Sequence, residues 1–378
     1  MIRRPPRSTP LYSSAASDVY KRQMLFKQET LTNVATEIMT KAGAPRENAR
    51  IVAEHLVIAN LKGHDSHGVG MVPNYVKAML DGLMKPAQSA QLIKDSGAVL
   101  SYDGDTGFGR IVGMQAMEEG VIRAKKHGIS CVALGNAHHL GRIGIYAEYC
   151  ADQGLVSSHY VNVVGHHPMV IPFGGRDPRF VTNPFCCAVP RPNGEHVVLD
   201  MATTTVAAGK VRVAYMKGVP VPPNSLVDKD GLETQDASVV FSKGGGGAMQ
   251  PFGLHKGYGL MVICELLGGA LGGNFSMQPG NPRKGATINN MLSILIDPSA
   301  IGNLQEFDEE VSAMIDYIYD SQPATGVEQV LIPGDPERTT AEQRSAEGID
   351  IDDNSWEDIM NSARDAGLSQ SDLDPLLS

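Results

Sequence analysis

Two histidines, an aspartate and a serine stand between glycines in residues 63–71, GHDSHGVGM, directly after an apolar stretch that predicts a helix. Apolar neighbours on both sides predict partial burial, which is costly for polar side chains without partners. Histidine exchanges protons near neutral pH, so one interpretation is a site for acid–base chemistry. A solvated loop between two helices explains the glycines equally well, and both interpretations stay open on these residues alone.

Metal binding is the third interpretation of this segment. His64 and His67 are three residues apart, a spacing that can place two metal ligands on one helical turn. The sequence has no H-E-x-x-H motif beside them and no evident third ligand. We therefore expect no metal site.

A second histidine pair lies in GNAHHLGRIG, residues 135–144, which follows a predicted strand and opens a predicted helix. In open α/β sheets, ligands bind at the carboxyl ends of strands, beside the helix N-termini. Adjacent side chains of an extended segment point to opposite sides. We expect His139 to face the cleft and His138 to be structural.

Two further segments combine a predicted strand or glycines with polar side chains. In LDMATTTVAAGK, Asp200 ends a strand, where it can either cap a helix or hold ribose hydroxyls. In GLHKGYG, glycines around Lys256 allow close backbone approach to a ligand, although the order of a P-loop is absent. No glycine cluster has the G-x-G-x-x-G order, so the usual Rossmann turn is excluded as a cofactor site.

These segments must be held by helices at the start of the chain and by an α/β region after it. Apolar periodicity predicts one helix that ends at Gly43, a second that runs from Pro45 to Gly63, and a third through VPNYVKAMLDG with Ser66 as its cap. After about residue 97, strand and helix patterns alternate. Near the C-terminus, VEQVLIPGDPE predicts a strand that runs into a tight turn, followed by an acidic and mostly helical tail.

Composition limits the function classes. The chain has 378 residues, 42% of them hydrophobic, which is enough for a large core and two domains. A formal net charge of -10 argues against nucleic-acid binding, and no apolar run is long enough for a membrane helix. Five cysteines without a C-x-x-C pair do not suggest a disulfide framework. We expect a reducing compartment, namely the cytoplasm.

The first 23 residues differ from the rest, with five basic residues, one acidic residue and no apolar periodicity. A transit peptide is Arg- and Ser-rich in this way, but the expected amphipathic pattern is missing. The segment also resembles translated sequencing-adapter text with Met24 as the true start. We interpret residues 1–23 as an artefact or a disordered leader and leave them out of the fold prediction.

The order of several segments resembles the type-2 malate/lactate dehydrogenase family, which includes sulfolactate, ureidoglycolate and diketogulonate oxidoreductases. These segments are GHDSHGVGMVPNYV, NAHHLGRIGIYAE, PFGGRDPRFVTNPF, LDMAT, KGVPVPP, HKGYGL and LIPGDPE. The resemblance spans Met24 to the C-terminus. It implies NAD- or NADP-dependent interconversion of a 2-oxo acid, or a related imino acid, with its hydroxy or amino counterpart, and no metal.

The resemblance also implies an architecture. It predicts an α/β fold in which a non-Rossmann cofactor-binding domain with a mixed sheet, residues 98–289, is joined to a largely helical domain. The helical domain is built from both chain ends, residues 24–97 and 290–378. The family further implies a homodimer that acts on a small-molecule substrate.

Site residues follow from the family motifs. Ser66 and His67 correspond to the Ser-His of the reacting centre, and His139 to the histidine of the strand-to-helix block. We predict His67 as the proton donor, with Ser66 and His139 orienting or polarising the substrate carbonyl. The implied cofactor contacts are Gly141, Arg142, Ile143, Asp200, Met201, Ala202, Thr203, Thr204, His255, Lys256, Asn289, Pro333, Gly334 and Asp335. Of these, Arg142 and Lys256 are the expected pyrophosphate partners.

One position departs from the family pattern. Many relatives carry an arginine four residues after the motif histidine, where it can grip a substrate carboxylate. Here that position is Met71, so either another cation such as Arg142 binds the carboxylate or the pocket prefers a bulky or aromatic 2-oxo acid. We favour the second hypothesis. The alternatives to this activity are a cyclic imino acid reductase, a non-catalytic cofactor-binding relative and a metal hydrolase.

Overall fold

A computed structural model gives the fold of residues 24–242, 244–273, 275–283 and 285–377. The leader interpreted from residues 1–23 lies outside the described residues. The described chain is mixed α/β, as predicted, with a seven-stranded mixed sheet and many helices. None of the helices in the described ranges is both long and apolar enough to cross a membrane.

The helices are numbered in chain order. They are α1 (Gln28–Lys41), α2 (Arg46–Leu61), α3 (Val72–Leu80), α4 (Gly109–His127), α5 (Gly144–Asp152), α6 (Ala208–Lys217), α7 (Ser238–Phe241), α8 (His255–Cys264), α9 (Leu304–Tyr319), α10 (Asp335–Glu347), α11 (Asp353–Asp365) and α12 (Gln370–Leu377). A π-helical segment, Glu265–Gly273, continues α8. Single 3-10 turns lie at Asp65–His67, Val69–Met71 and Pro298–Ala300.

The strands are numbered in the same way. They are β1 (Met24–Phe26), β2 (Gln91–Asp95), β3 (Val99–Asp103), β4 (Ile129–His138), β5 (Val156–Val164), β6 (Phe185–Val189), β7 (Val197–Met201), β8 (Leu226–Val227), β9 (Glu233–Thr234), β10 (Ala248–Met249), β11 (Ile288–Ile296) and β12 (Ile349–Ile351).

The seven-stranded sheet has the order β2-β3-β4-β11-β5-β6-β7. Only β3 and β4 pair in parallel, so β3, β4, β5 and β7 all run in one direction and end at the same edge. The register shows this directly, because Ile288 at the start of β11 pairs with both His138 and Val164 at the ends of their strands. Loops that follow these strands are therefore brought together.

The sheet core forms where apolar side chains of the strands meet the covering helices. On one face α4 packs closely, since a Cβ added at Gly120 would lie 2.8 Å from Val132. On the other face the π-helical segment lies so near that a Cβ at Gly268 would lie 2.5 Å from the carbonyl oxygen of Tyr160. Coverage on both faces explains why β11 is almost continuously buried.

The helical unit joins α1, α2 and α3 to the C-terminal α11 and α12 through a second apolar core. In α1 the buried residues Leu31, Val34, Ile38 and Met39 recur at helical spacing, as predicted. The two chain ends are also tied by antiparallel pairing of β1 with β12. The sheet extends past both expected domain boundaries, because β2 precedes residue 98 and most of β11 follows residue 289.

Two local predictions are wrong. Ser66 does not cap α3, which begins only at Val72 after two 3-10 turns and has no side-chain cap. Residues 327–334 form no strand in the described chain and are mostly exposed. The strand β6 was not predicted, and it pairs with β5 and β7 beside the site described below.

Candidate active site

Three of the predicted site segments, those of His67, His139 and Asp200, meet at the carboxyl edge of the sheet. His139 follows β4, and Asp200 lies at the end of β7. The 3-10 turn Asp65–His67 of the helical unit reaches the N-terminus of α6, because a Cβ added at Gly209 would lie 3.4 Å from the Cβ of Ser66. The site thus lies where the helical unit meets the edge of the sheet.

The two histidines predicted to do chemistry are neighbours. The rings of His67 and His139 stack with centroids 5.5 Å apart and 22° between their planes. Both residues are partly exposed, and the exposed Ser66 places its Oγ 2.9 Å from Nδ1 of His67. With Nδ1 engaged by the hydroxyl, Nε2 of His67 is the atom available for proton exchange.

The surroundings give the two histidines different electrostatic environments. Burial lowers the pKa of His67, and the nearby carboxylate of Asp200 acts in the opposite direction and raises it. Burial also holds the pKa of His139 well below its usual range, and the neighbouring His67 lowers it further. His139 is therefore neutral at pH 7, and the proximity of Asp200 to His67 is a feature that the sequence did not reveal.

Tyr75 is a site residue that the sequence did not indicate. It lies on α3, is 3% exposed, and its hydroxyl lies 2.8 Å from Nδ1 of His139. Burial raises its pKa, so the hydroxyl stays protonated. Its spacing from Val72, Val76 and Met79 on α3 is that of an apolar helix face, so the sequence pattern indicates only a core residue.

The loop after His139 is held by buried polar side chains. The N–H of Leu140 donates to Oδ1 of Asn289, and the N–H of Arg142 donates to Nε2 of His55. Gly141 has φ +74°, and a Cβ there would lie 2.1 Å from Nε2 of His55, so only glycine fits. Asn289 and the buried Ile143 shape this loop from within.

Arg142 is not placed as expected for a pyrophosphate partner. Its side chain is 2% exposed, and its two terminal nitrogens donate to Glu148 at 3.0 and 2.8 Å. Lys62, directly after α2, lies 2.6 Å from the same carboxylate, and Nε of Arg142 lies 3.6 Å from Asp200. This internal ion-pair cluster joins the helical unit to the sheet, and a cofactor phosphate needs another cation.

The segment Asp200–Thr204 divides into structural and accessible residues. Oδ2 of Asp200 accepts a 2.7 Å hydrogen bond from the N–H of Gly144, so it binds the first turn of α5 rather than capping the helix that follows it in sequence. Thr203 and Thr204 are buried, and their hydroxyls donate to backbone carbonyls. Met201 and Ala202 are partly exposed, which leaves them open to a ligand.

His255 and Lys256 open α8 and are both exposed. An exposed cation on the first turn of a helix, at the positive end of the helix dipole, matches the needs of a phosphate, although the backbone N–H groups of Lys256, Gly257 and Tyr258 already donate to carbonyls of residues 252–254. Close packing beneath them requires Gly257, because a Cβ there would lie 2.0 Å from the carbonyl oxygen of Phe252. The exposed ring of Phe173 meets His255 edge-on at 5.8 Å.

The Pro333–Gly334–Asp335 turn lies against β7 rather than within the histidine cluster. The N–H of Val198 donates to the carbonyl of Pro333 at 3.0 Å. The Asp335 carboxylate is held by Tyr319, Arg338 and the N–H of Ile332. The first turn of α10 also contacts the segment around His67, since Oε1 of Glu337 lies 3.2 Å from Nε2 of His64.

Met71 lies at the end of the second 3-10 turn and packs, partly buried, against the helical core. Its sulfur accepts a weak hydrogen bond from Asn74. No group of three His, Cys, Asp or Glu side chains suited to a metal ion occurs in the part of the chain that the structure describes.

Comparison with known proteins adds a second kind of observation. A family model described as malate/L-lactate dehydrogenase matches residues 26–360. Hydroxycarboxylate dehydrogenase B from Escherichia coli O157:H7 is 41% identical over 350 residues, which cover 92% of this chain and 96% of the relative.

Two solved structures are similar over nearly their whole length. One, described as a malate/lactate dehydrogenase from E. coli, has a TM-score of 0.87 and 40% identity, covering 93% of this chain and 98% of its own. The other, delta1-piperideine-2-carboxylate reductase from Pseudomonas syringae, has a TM-score of 0.76 and 29% identity, with coverage of 90% and 99%.

Proposed function

The chain belongs to the malate/L-lactate dehydrogenase family, and from that premise we propose that it interconverts a 2-oxo acid and a 2-hydroxy acid with NAD or NADP. The observation that carries the proposal is the stacked pair His67 and His139 at the carboxyl edge of the sheet. One histidine can exchange a proton, and the other is held neutral beside it. A carbonyl that gains a hydride needs a proton donor for the developing alkoxide and a neutral hydrogen-bond donor that polarises the C=O bond.

The residues divide the chemistry between them. When bound, the nicotinamide supplies the hydride in reduction and accepts it in oxidation. His67 gives the proton from Nε2 to the developing alkoxide, while Ser66 holds Nδ1 of the same ring. His139 donates a hydrogen bond that polarises the carbonyl. Asp200 favours the protonated form of His67 and so supports the donor role.

The proposed cofactor site uses Lys256, which is exposed, with Met201 and Ala202, which are partly exposed. Lys256, exposed on the first turn of α8, suits the pyrophosphate, since Arg142 is engaged with Glu148. Met201 and Ala202 are placed to contact the cofactor at the end of β7, and the Pro333–Asp335 turn lies beside the same strand. The donor set suits NAD and NADP alike.

The proposed substrate class follows from Met71. An apolar, adaptable side chain stands where an arginine would select a second carboxylate. We therefore propose bulky or aromatic 2-oxo acids as the preferred substrates. The similarity to hydroxycarboxylate dehydrogenase B supports a hydroxy acid as the reduced partner of this substrate.

The test is an absorbance assay of reduced nicotinamide with the chain from Met24 onward. NADH and NADPH are offered in turn with pyruvate, oxaloacetate, phenylpyruvate and a cyclic imino acid. Wild type is compared with His67→Ala and with His127→Ala, which removes an exposed histidine at the end of α4. We expect oxo-acid-dependent oxidation that falls about 100-fold or more in His67→Ala and is unchanged in His127→Ala. Wild-type protein that consumes neither cofactor with any substrate contradicts the proposal.

A second candidate is reduction of a cyclic imino acid. The similarity to delta1-piperideine-2-carboxylate reductase supports it, because that structure aligns with 90% of this chain. The same proton donor would serve an imine nitrogen as well as a carbonyl oxygen. The substrate panel separates the two, since turnover of the cyclic imino acid far above phenylpyruvate favours the imine.

We also propose a homodimer, supported by α9. Within this helix, which is described throughout, only Ile315 is buried. Met314 is 51% exposed and Tyr317 74% exposed, and both lie on an amphipathic helix with a pronounced apolar side. A second copy of the chain would cover this side.

A reducing compartment, the cytoplasm, is proposed from the thiols. All five cysteines are free, and Cys150, Cys186 and Cys264 are buried. Burial raises the pKa of each of these three thiols, which keeps them in the less reactive protonated form. Cell fractionation shows the compartment, and alkylation of the unfolded protein without added reductant shows the state of its thiols. All five thiols should react.

A further inference from the structure

The Tyr75 hydroxyl is placed to control His139 rather than the substrate. Tyr75 is buried on α3, and its ring packs edge-on against His138 at 5.6 Å and against Phe108 at 6.0 Å. This packing fixes the ring, so the hydroxyl is held 2.8 Å from Nδ1 of His139. The Tyr75 hydroxyl has no other hydrogen bond to the described residues.

The direction of this hydrogen bond follows from the groups available. A neutral imidazole carries its proton on one nitrogen only, and a tyrosine hydroxyl can donate or accept. If Nδ1–H donated to the hydroxyl, the buried O–H of Tyr75 would be left without an acceptor in the described chain. If the hydroxyl donates to Nδ1, both groups are satisfied, and an unsatisfied buried donor is avoided.

We propose that Tyr75 is a positioning residue that donates its O–H to Nδ1 of His139 and so fixes His139 as the Nε2–H tautomer. The proton on Nε2 then points away from the bond to Tyr75. Nε2 has no hydrogen-bond partner among the described residues, and His139 is partly exposed, so this N–H is free for a ligand. The sequence offers no sign of this, because Tyr75 lies on the apolar face of its helix.

The tautomer of His139 follows from the geometry alone, and only its effect on the substrate rests on the proposed function. A fixed Nε2–H is a hydrogen-bond donor that the substrate oxygen would meet beside the ring of His67. The other tautomer would present a lone pair to that oxygen and repel it. Tyr75 thereby separates the roles of two stacked histidines, one an N–H donor and the other a proton donor.

Nitrogen NMR of the full chain with 15N-labelled histidine tests the tautomer directly. The signals of His139 are assigned by their loss in His139→Gln. We expect Nε2 of His139 to carry the proton in the wild type. We also expect Tyr75→Phe to give a mixture of tautomers and to lower kcat about 10- to 100-fold, with the cofactor KM changed much less.

Two tyrosine variants serve as controls. Tyr146→Phe removes a buried hydroxyl that donates to the carbonyl of Leu140 in the same loop, yet does not touch an imidazole nitrogen. It should leave the His139 tautomer as in the wild type. Tyr102→Phe removes a tyrosine hydroxyl from β3, outside the site, and should leave the His139 tautomer and kcat unchanged.

The outcomes distinguish this inference from the proposed function. A proton on Nδ1 of wild-type His139 overturns it without any variant, even if Tyr75→Phe fails to fold. An unchanged tautomer in folded Tyr75→Phe overturns it as well. If no substrate is turned over but the tautomer shifts as expected, the proposed function fails and the Tyr75 assignment stands.

Discussion

The imidazole rings of His67 and His139 stack with their centroids 5.5 Å apart, although one belongs to the helical unit and the other to the sheet. Two cations at this separation repel each other, and the neighbouring His67 adds to burial in lowering the pKa of His139. Only one of them can act as the acid. Because Asp200 favours the charged form of His67, we propose His67 as that residue.

The pH dependence of turnover should report this pair. Burial lowers the pKa of His67 below the ordinary histidine value of about 6.5, so the protonated donor accumulates only at lower pH. The rate of 2-oxo acid reduction should rise as pH falls through that pKa. Hydroxy acid oxidation needs the neutral base, so it should rise with pH and level off above the same midpoint.

Two neighbours should move that midpoint in opposite directions. Asp200→Asn removes a charge that raises the pKa of His67, so the midpoint should shift to lower pH. His64→Gln removes a group that lowers it, so the midpoint should shift to higher pH. The measurement is kcat/KM against pH for the three proteins, and shifts of the same sign would argue against His67 as the titrating group.

Gly141 should be irreplaceable in a way that Gly154 is not. Both have positive φ, +74° and +77°, but a Cβ at Gly141 meets His55 at 2.1 Å, whereas a Cβ at Gly154 has nothing within 4 Å. Gly154→Ala should lower the free energy of unfolding by about 1 kcal/mol from backbone strain alone. Gly141→Ala adds the clash and should cost about 3 kcal/mol or more. Denaturant unfolding of both variants measures this, and equal losses would rule out the clash.

Lys256 and Arg142 should behave differently when removed. Lys256→Ala should weaken NADH or NADPH binding about 10-fold, because a charge-assisted contact to phosphate is lost, without lowering Tm. Arg142→Met should instead lower the free energy of unfolding by about 3 kcal/mol, since it breaks a buried ion pair. Fluorescence titration and thermal unfolding separate the two. Lys126→Ala, at the exposed end of α4, is the control and should change neither.

Met71 should set the preference between substrate classes. Met71→Arg introduces a cation that can pair with a second carboxylate, so kcat/KM for oxaloacetate relative to phenylpyruvate should rise about 10-fold or more. Met71→Leu keeps an apolar side chain of similar size and should preserve the wild-type ratio. An unchanged ratio in Met71→Arg would mean that this side chain does not face the substrate.

The exposed apolar side of α9 should hold the proposed dimer together. Met314→Glu places a charge on that side and should shift the protein from dimer to monomer in sedimentation velocity. Asp316→Asn changes the opposite, exposed side of the same helix and should leave the dimer intact. A monomeric wild type would refute the dimer, and a dimeric Met314→Glu would place its interface elsewhere.

Some of these features were predictable because they depend on local pattern. The apolar spacing in α1 and the alternation of β4 with α5 follow from which side chains must be buried, and the sequence contains that information. The family motifs identified His67 and His139, because motif residues can be matched from the sequence without knowing how far apart they lie in the fold. The structure places these two side chains in contact.

Local pattern failed where a side chain found an unexpected partner. Ser66 has the residue type of a helix cap, but its hydroxyl bonds to His67 within a 3-10 turn. The apolar pattern at 327–331 suggests a strand, yet a strand needs a neighbour to pair with, and this segment has none in the described chain. Both errors have the same cause: the secondary-structure preference of a residue does not determine which group it will hydrogen-bond to in the fold.

By itself, the amino-acid sequence determined the mixed α/β class, the family and the polar residues from which a site could be built. The tertiary structure decided which of them are free to act. It buried Arg142 against Glu148, left Lys256 exposed, and brought Tyr75 from α3 against His139 at the end of β4. The reason is physical: burial and hydrogen bonding depend on groups far apart in the chain, and these fix the charge and tautomer of each side chain.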